Sequence, residues 1–153
     1  YLGGTQSDSA AGIAVDAGGD AFVTGNTNSA DFPTASPIQP ASGGATDAFV
    51  VKIPPPDTTP PTVVLTAPTD GATVSDVITV SASASDDVAV AGVQFLLNGA
   101  PLAAEDTTAP FEVAWDTGTV RAREHWVQLA ARARDAEGNV ATSAAVTVRV
   151  KKN

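Results

Sequence analysis

The sequence feature that most constrains the fold is the alternation of apolar and polar residues over residues 77–150. Short runs of this kind recur there, and residues that favour turns separate them. The runs cover residues 78–84, 93–97, 111–115, 125–134 and 145–150. Alternation bounded by Gly, Asn, Asp and Pro is typical of strands with one buried face and one solvated face. About five to seven such strands in roughly 90 residues predict an antiparallel β-sandwich.

Composition excludes several function classes. The 153 residues include no Cys, which excludes disulfide bonds, thiolate metal sites and a Cys nucleophile. The 17 acidic and 8 basic residues give a net charge of −9, so we expect no nucleic-acid partner. No apolar run approaches the ~18 residues of a membrane span, so we expect no membrane insertion. Because the chain begins with Tyr1 rather than Met, we expect it to be a piece of a longer protein.

Residues 1–53 predict a smaller antiparallel unit. The apolar runs at 12–16 and 20–25 are joined by a glycine-containing turn, which indicates a hairpin, and residues 47–53 form a further strand. Five blocks carry a resemblance: Tyr-Leu-Gly-Gly at 1–4, Gly-Ile-Ala-Val-Asp at 12–16, Ala-Phe-Val-Thr-Gly at 21–25, Asp-Phe-Pro-Thr at 31–34 and Asp-Ala-Phe-Val-Val-Lys at 47–52. In this order they resemble one repeat of a bacterial β-propeller repeat family.

A single repeat of this kind leaves both faces of its sheet uncovered. Two kinds of protein partner would complete it: neighbouring blades of a longer parent chain, or a strand from another subunit. The second would make the chain a self-assembling filament or multimer subunit.

Residues 54–61 predict the domain boundary. Five of these eight residues are Pro, which cannot join a sheet ladder and favours extended polyproline geometry. The segment is therefore either a semi-rigid spacer or a disordered tether.

Residues 62–153 carry a second resemblance, which extends into the linker. Its blocks are Asp-Thr-Thr-Pro-Pro-Thr-Val at 57–63, Ala-Pro-Thr-Asp-Gly-Ala-Thr-Val at 67–74, Ser-Ala-Ser-Asp-Asp-Val at 83–88, Gly-Val-Gln-Phe-Leu-Leu-Asn-Gly at 92–99, Trp-Asp at 115–116 and Arg-Asp-Ala-Glu-Gly-Asn at 134–139. Together they resemble the bacterial immunoglobulin-like domains found in tandem on secreted and surface proteins. The resemblance implies a spacer, stalk or adhesive module.

A group of acidic residues predicts a Ca²⁺ site. Asp86 and Asp87 end one apolar run, while Asp135 and Asn139 lie in the turn that closes another. Such turns can meet at one end of a sandwich, and Asp57 in the linker can add a further ligand. Oxygen ligands of this kind suit Ca²⁺, which takes about six to eight of them. The alternative is turn chemistry alone, because Asp and Asn side chains bond nearby backbone in turns.

The two tryptophans fall on different faces of their strands. Trp115 alternates with Phe111 and Val113, which predicts a core position. Trp126 lies on the polar face, which predicts contact with a carbohydrate or protein partner. No catalytic residue is predicted, because no nucleophile elbow accompanies the single His, His125.

The sequence therefore predicts an all-β, bacterial, extracellular or cell-surface protein. Its parts are one propeller-type antiparallel β unit (1–53), a Pro-rich linker (54–61) and an immunoglobulin-like β-sandwich (62–153). We expect a non-catalytic structural or adhesive module, with self-assembly by strand complementation as its finer form. The alternative is an accessory carbohydrate- or protein-binding module of a larger secreted enzyme. Ca²⁺ is the one cofactor for which the residues offer ligands.

Overall fold

β-Strands make up nearly all the regular structure of this chain. The computed structural model describes residues 2–120 and 124–151, without the side chains of residues 124 and 125. The described chain contains twelve strands and a single 3-10 turn, Thr117–Thr119, so the predicted all-β class is confirmed. The chain divides into two units between Pro56 and Asp57, and no residue of the Pro-rich segment 54–61 lies in a strand.

The first unit is a single three-stranded antiparallel sheet in the order β1-β2-β3. Its strands are β1 (Asp8–Val15), β2 (Ala21–Thr27) and β3 (Asp47–Ile53). The β1–β2 turn is held by Asp16, whose carboxylate accepts hydrogen bonds from the backbone N–H groups of Gly18 and Asp20 at 2.8 and 3.0 Å. Gly19 adopts a φ of 87°, a left-handed conformation that glycine tolerates best.

The best-buried side chains of this unit are polar. Thr27 and Ser29 are buried, and both hydroxyls donate hydrogen bonds to the carboxylate of Asp8. The backbone N–H of Gly4 donates to the same carboxylate at 2.8 Å. A hydrogen-bonded cluster around Asp8 thus anchors the start of β1 to the end of β2.

Large apolar side chains lie exposed on both faces of this sheet. Ile13 and Val15 are 72% and 65% exposed, and the strand register puts Ile53, also exposed, on their face. Val50 is 70% exposed on the opposite face. The described residues of the first unit therefore form one layer without a second layer to cover it.

The second unit is a sandwich of two sheets. Its strands are β4 (Thr62–Ala67), β5 (Thr73–Val74), β6 (Val77–Ser85), β7 (Val90–Leu97), β8 (Ala100–Pro101), β9 (Phe111–Asp116), β10 (Glu124–Asp135), β11 (Val140–Thr142) and β12 (Val146–Lys151). One sheet is three-stranded, in the order β4-β6-β9. The other is six-stranded, in the order β5-β12-β10-β7-β8, with β11 also paired to β10. The sequence predicted fewer strands because β5, β8 and β11 are too short to show a period.

The apolar positions of the alternating runs meet between these two sheets. Trp115 of β9 and Val80 of β6 face the interior from the three-stranded sheet. Phe95 of β7, Leu129 of β10 and Val148 of β12 face it from the six-stranded sheet. All five are essentially fully buried, and Trp115 is only 2% exposed. Burial of apolar surface of this kind stabilises by about 25 cal/mol per Å².

A two-residue turn links β7 to β8. Asn98 and Gly99 have φ values of 51° and 82°, and Leu97 pairs with Ala100 across the turn. Positive φ at both central residues defines a type I′ turn, whose twist matches that of the flanking strands. The Asn-Gly pair in the sequence is the signal for this turn.

No helix among residues 2–120 and 124–151 has the length and apolar character needed to cross a membrane.

Candidate metal centre

Three carboxylates from distant parts of the sequence converge in the second unit. Asp57 precedes β4, Asp86 follows β6 and Asp135 ends β10. Each offers a ligand oxygen, and these oxygens all lie within 4.8 Å of one another. The strand pattern brings them together, because the ends of β6 and β10 and the start of β4 lie at the same end of the sandwich.

Asp135 is the buried centre of the cluster, with an exposed fraction of 0%. Its carboxylate accepts hydrogen bonds from the backbone N–H groups of Gly138 and Asn139 at 2.6 and 2.8 Å. The side-chain amide of Asn139 donates a third at 2.7 Å. Burial is the largest influence on the Asp135 pKa and raises it, but these hydrogen bonds together outweigh burial. The pKa of Asp135 therefore lies below its ordinary value, and the carboxylate is ionised at neutral pH.

Asn139 connects Asp135 to the linker. Its side-chain amide also donates a hydrogen bond to the backbone carbonyl of Asp57 at 3.0 Å. Asn139 therefore acts here as a positioning residue, which fixes Asp57 beside the buried carboxylate. No pattern in the sequence indicated this link, which spans 82 residues.

Asp57 and Asp86 each use one carboxylate oxygen to stabilise their own turn. Oδ1 of Asp57 accepts from the backbone N–H of Thr59 at 2.8 Å. Oδ2 of Asp86 accepts from the backbone N–H groups of Val88 and Ala89 at 3.1 and 3.0 Å. The other oxygens, Oδ2 of Asp57 and Oδ1 of Asp86, are buried and have no hydrogen-bond partner among the described residues.

Turn chemistry accounts for only half of this arrangement. It explains one oxygen on each of Asp57 and Asp86, while the second oxygen of each is buried and receives no hydrogen bond from residues 2–120 and 124–151. A buried, unpartnered carboxylate oxygen is costly, and like charges at this separation repel each other. A cation would offset both effects. Because the donors are all oxygens, with neither His nor Cys in the cluster, they suit Ca²⁺ better than Zn²⁺.

Other acidic residues of the chain have hydrogen-bond or ion-pair partners of their own. Asp87 is not one of the three converging carboxylates, and its Oδ2 accepts from the hydroxyl of Thr59 at 3.4 Å. Asp16 holds its hairpin turn, and Asp20 forms a salt bridge with Lys52 at 2.7 Å. Four of the five residues predicted as metal ligands, all but Asp87, therefore come together.

Comparison with known proteins assigns the second unit. Residues 61–148, more than half of the chain, match the bacterial Ig domain family. The chain belongs to the bacterial Ig domain family. Residues 1–33 match a beta-propeller repeat, so both resemblances predicted from the sequence are confirmed. No curated protein matches the chain.

A solved structure resembles the bacterial Ig domain. It belongs to the fibronectin(III)-like modules of Clostridium thermocellum CbhA, with a TM-score of 0.51 and 25% sequence identity. The match covers 59% of this chain and 96% of that one. Bacterial Ig-like and fibronectin(III)-like domains are typically non-catalytic structural or binding modules, and they are often extracellular.

Trp126 lies on the other side of the bacterial Ig domain's six-stranded sheet from the core. It is 57% exposed, whereas its neighbour Val127 is buried. The side chain of His125 lies outside the described residues.

An ion pair on the same side of this sheet was not identified from the sequence. Arg134 donates two hydrogen bonds to Glu105, from Nε and a terminal nitrogen, each at 2.8 Å. Glu105 passes over Gly92, where an added Cβ would lie 2.7 Å from its carboxyl carbon. A glycine within an otherwise apolar strand is the signal that could have indicated this close approach.

Proposed function

We propose that this chain is a non-catalytic, Ca²⁺-stabilised module of a bacterial extracellular or cell-surface protein. The observation that carries the proposal is the convergence of Asp57, Asp86 and Asp135 with two buried carboxylate oxygens that have no hydrogen-bond partner in the described part of the chain. Such a site needs no substrate cleft. Its expected role is to hold a spacer or adhesive domain in its folded form where Ca²⁺ is plentiful, as it is outside cells.

A bound ion would connect three chain segments that are far apart in sequence. Asp57 lies where the chain enters the domain. Asp86 lies in the connection between β6 of one sheet and β7 of the other, and Asp135 ends the longest strand. The unfolded chain cannot hold these carboxylates together, so the ion would bind the folded state in preference. Such an ion stabilises by about 2.7 kcal/mol when its concentration is about 100 times Kd. Extracellular Ca²⁺ modules have Kd values of about 10⁻⁴ to 10⁻³ M, and we expect a value in this range.

The test is a calorimetric Ca²⁺ titration of the full chain, together with thermal melting in Ca²⁺ and in chelator. Asp86→Asn removes one converging carboxylate charge, and Asp87→Asn is its matched control from the neighbouring position. We expect Ca²⁺ to bind and stabilise the unaltered chain and Asp87→Asn, and to bind Asp86→Asn at least about tenfold more weakly. A melting temperature of the unaltered chain that neither Ca²⁺ nor chelator moves would contradict the proposal.

Self-association through the first unit is a second candidate function. Its support is the exposed apolar surface at Ile13, Val15 and Val50, together with the edge positions of β1 and β3 in a lone sheet. An unpaired edge is a template for a strand from another copy, and each added strand would extend the sheet.

Light scattering and negative-stain microscopy of the full chain test this assembly. We expect multimers or filaments that Ile13→Asp disperses, because the charge falls on an apolar face. Val64→Asp is the matched control, since Val64 is 62% exposed on the second unit. A chain that stays monomeric at all accessible concentrations would exclude assembly and leave the calcium proposal standing.

The chain as an accessory carbohydrate- or protein-binding module is a further alternative. It is favoured by Trp126, which is exposed on the six-stranded sheet and lies opposite Arg149 of the neighbouring strand β12.

A further inference from the structure

The six-stranded sheet has a solvent-facing side that we call the outer face. Its residues alternate with the buried ones at Val127, Leu129, Val148 and Val150. The residues that define it here are Trp126, Gln128, Arg132 and Arg134 of β10 and Thr147, Arg149 and Lys151 of β12.

The outer face gathers positive charge on an acidic protein. The second unit's basic residues within the described chain are Arg132, Arg134, Arg149 and Lys151, and all four lie on this face. Arg134 is paired with Glu105. Arg132 is exposed and makes no ion pair with a described residue. Glu105 offsets part of this charge, and the acidic residue Glu124 lies opposite Lys151 in the strand register. The remaining excess of cations would attract an anionic partner even though the chain as a whole carries −9.

An aromatic ring stands within this basic surface. Trp126 of β10 pairs directly with Arg149 of β12, and Gln128 pairs with Thr147 in the same two strands. The Cβ atoms of directly opposed residues lie about 5 Å apart. The indole of Trp126 therefore neighbours the guanidinium of Arg149, and the amide of Gln128 neighbours the hydroxyl of Thr147. An exposed indole can stack on the C–H face of a sugar ring, and the neighbouring groups can donate hydrogen bonds to hydroxyls and carboxylates.

We propose that the outer face binds an extended anionic polysaccharide. Trp126 stacks on a sugar ring, while Lys151 and Arg132 pair with carboxylate or sulfate groups along the polymer. Trp126 and Arg132 are six positions apart on one strand, a span of about 20 Å, so the ligand covers several sugar units. This inference concerns a different surface from the carboxylate cluster and does not depend on Ca²⁺ binding there.

A polysaccharide fits this face better than a nucleic acid does. Single-stranded nucleic acids bind to basic grooves that carry several stacking platforms, one for each successive base. Here the described part of the outer face offers one aromatic ring and widely spaced cations. The net charge of −9 would repel any polyanion, but it would repel one with a phosphate on every nucleotide more strongly than one with a carboxylate on every second sugar.

The experiment is a titration of the full chain with hyaluronan oligosaccharides, which carry one carboxylate per disaccharide. Neutral chitooligosaccharides of the same length and a single-stranded DNA oligonucleotide are the comparison ligands. The variants are Trp126→Ala and Arg132→Gln. Their controls are Val64→Ala, an exposed apolar residue on the other sheet, and Lys52→Gln, a cation of the first unit.

We expect hyaluronan to bind more tightly than either comparison ligand, with an affinity that falls as salt is added. Trp126→Ala should weaken binding about tenfold and Trp126→Phe less, while both controls stay within about twofold. Arg132→Gln should weaken binding about threefold and reduce the salt dependence. The proposal is overturned if hyaluronan does not bind, if the neutral ligand binds equally well, if DNA binds more tightly, or if Trp126→Ala has no effect.

Discussion

The two units of this chain are built from the same kind of strand, yet they bury different kinds of side chain. In the first unit a single sheet leaves Ile13 and Val15 in solvent, and its best-buried side chains are the hydroxyl residues Thr27 and Ser29. In the second unit two sheets face each other, and the buried residues are mainly apolar. Alternation of apolar residues is therefore enough to produce strands, but a core requires a second layer.

The carboxylate clusters of the two units differ in how completely their oxygens are hydrogen-bonded. Asp8 in the first unit accepts hydrogen bonds from Thr27, Ser29 and Gly4, so local donors meet its carboxylate. In the second unit Asp135 is likewise satisfied, but the adjacent Asp57 and Asp86 each have a buried oxygen to which no described residue donates a hydrogen bond. The Asp8 cluster, whose carboxylate accepts hydrogen bonds from nearby donors, stabilises the local chain. The cluster of Asp57, Asp86 and Asp135, which has carboxylate oxygens to spare, suits a cation.

Removing the largest core side chain should give the largest effect on the second unit. Trp115→Ala deletes a 2% exposed side chain and should lower the free energy of unfolding by about 3–5 kcal/mol. Trp126→Ala is the matched control and should change it by no more than about 1 kcal/mol. Denaturant unfolding of the two variants measures both values, and equal losses would mean that the core is not between the two sheets.

The polar centre of the second unit should be the next most sensitive position. Asp135→Ala leaves the N–H groups of Gly138 and Asn139 and the Asn139 amide without their acceptor. We expect the melting temperature in chelator to fall by about 5 °C or more, and added Ca²⁺ not to restore it. Asp87→Asn, which lies outside the cluster, should melt like the unaltered chain. Full rescue of Asp135→Ala by Ca²⁺ would show that Asp135 is not needed for the site.

A substitution that destabilises the first unit should leave the second unit folded. An added Cβ at Gly25 would overlap the carbonyl oxygen of Ser9 and would lie 2.7 Å from the ring of Phe49. Gly25→Ala should therefore disrupt the first sheet and speed its digestion in limited proteolysis, while residues 57–153 stay resistant. Gly44→Ala, in an open loop position, is the control. A second unit that became protease-sensitive in Gly25→Ala would show that the units do not fold independently.

The smallest effect should come from the ion pair on the outer face. The hydrogen bonds from Arg134 hold the pKa of Glu105 below its ordinary value of 4.5, so this stabilisation is present at neutral pH and lost as the pH falls through the folded-state pKa. Glu105→Gln should lower the melting temperature at pH 7 by no more than about 4 °C, because the pair is partly exposed. The difference from the unaltered chain should disappear in strongly acidic buffer. A difference that grew with acidification would contradict this assignment.

Sequence reasoning succeeded where a local pattern determines the outcome. The five alternating runs of residues 77–150 correspond to the strands β6, β7, β9, β10 and β12, and the opposite orientations of Trp115 and Trp126 follow from period two alone. The very short strands β5 and β11 escaped detection, because two or three residues carry no period.

The candidate site was predictable only in part. Acidic turns at one end of a sandwich indicated Asp57, Asp86, Asp135 and Asn139. The separation of Asp86 from Asp87 was not predictable, since it depends on the direction in which each carboxylate leaves the backbone. The complete burial of Asp135 was not predictable either. The sequence placed this residue in a turn, whereas it is the last residue of β10.

Calorimetry of the full chain in chelator and in Ca²⁺ tests the proposed cation site most directly. Asp57, Asp86 and Asp135 form this site in the second unit, while the acidic turn of the first unit is closed by its own hydrogen bonds. We therefore expect separate transitions for the two units, of which Ca²⁺ raises only the one assigned to the second unit, with a shift that Asp86→Asn removes. A second-unit transition at the same temperature with and without Ca²⁺, or an equal shift of both transitions, would contradict it.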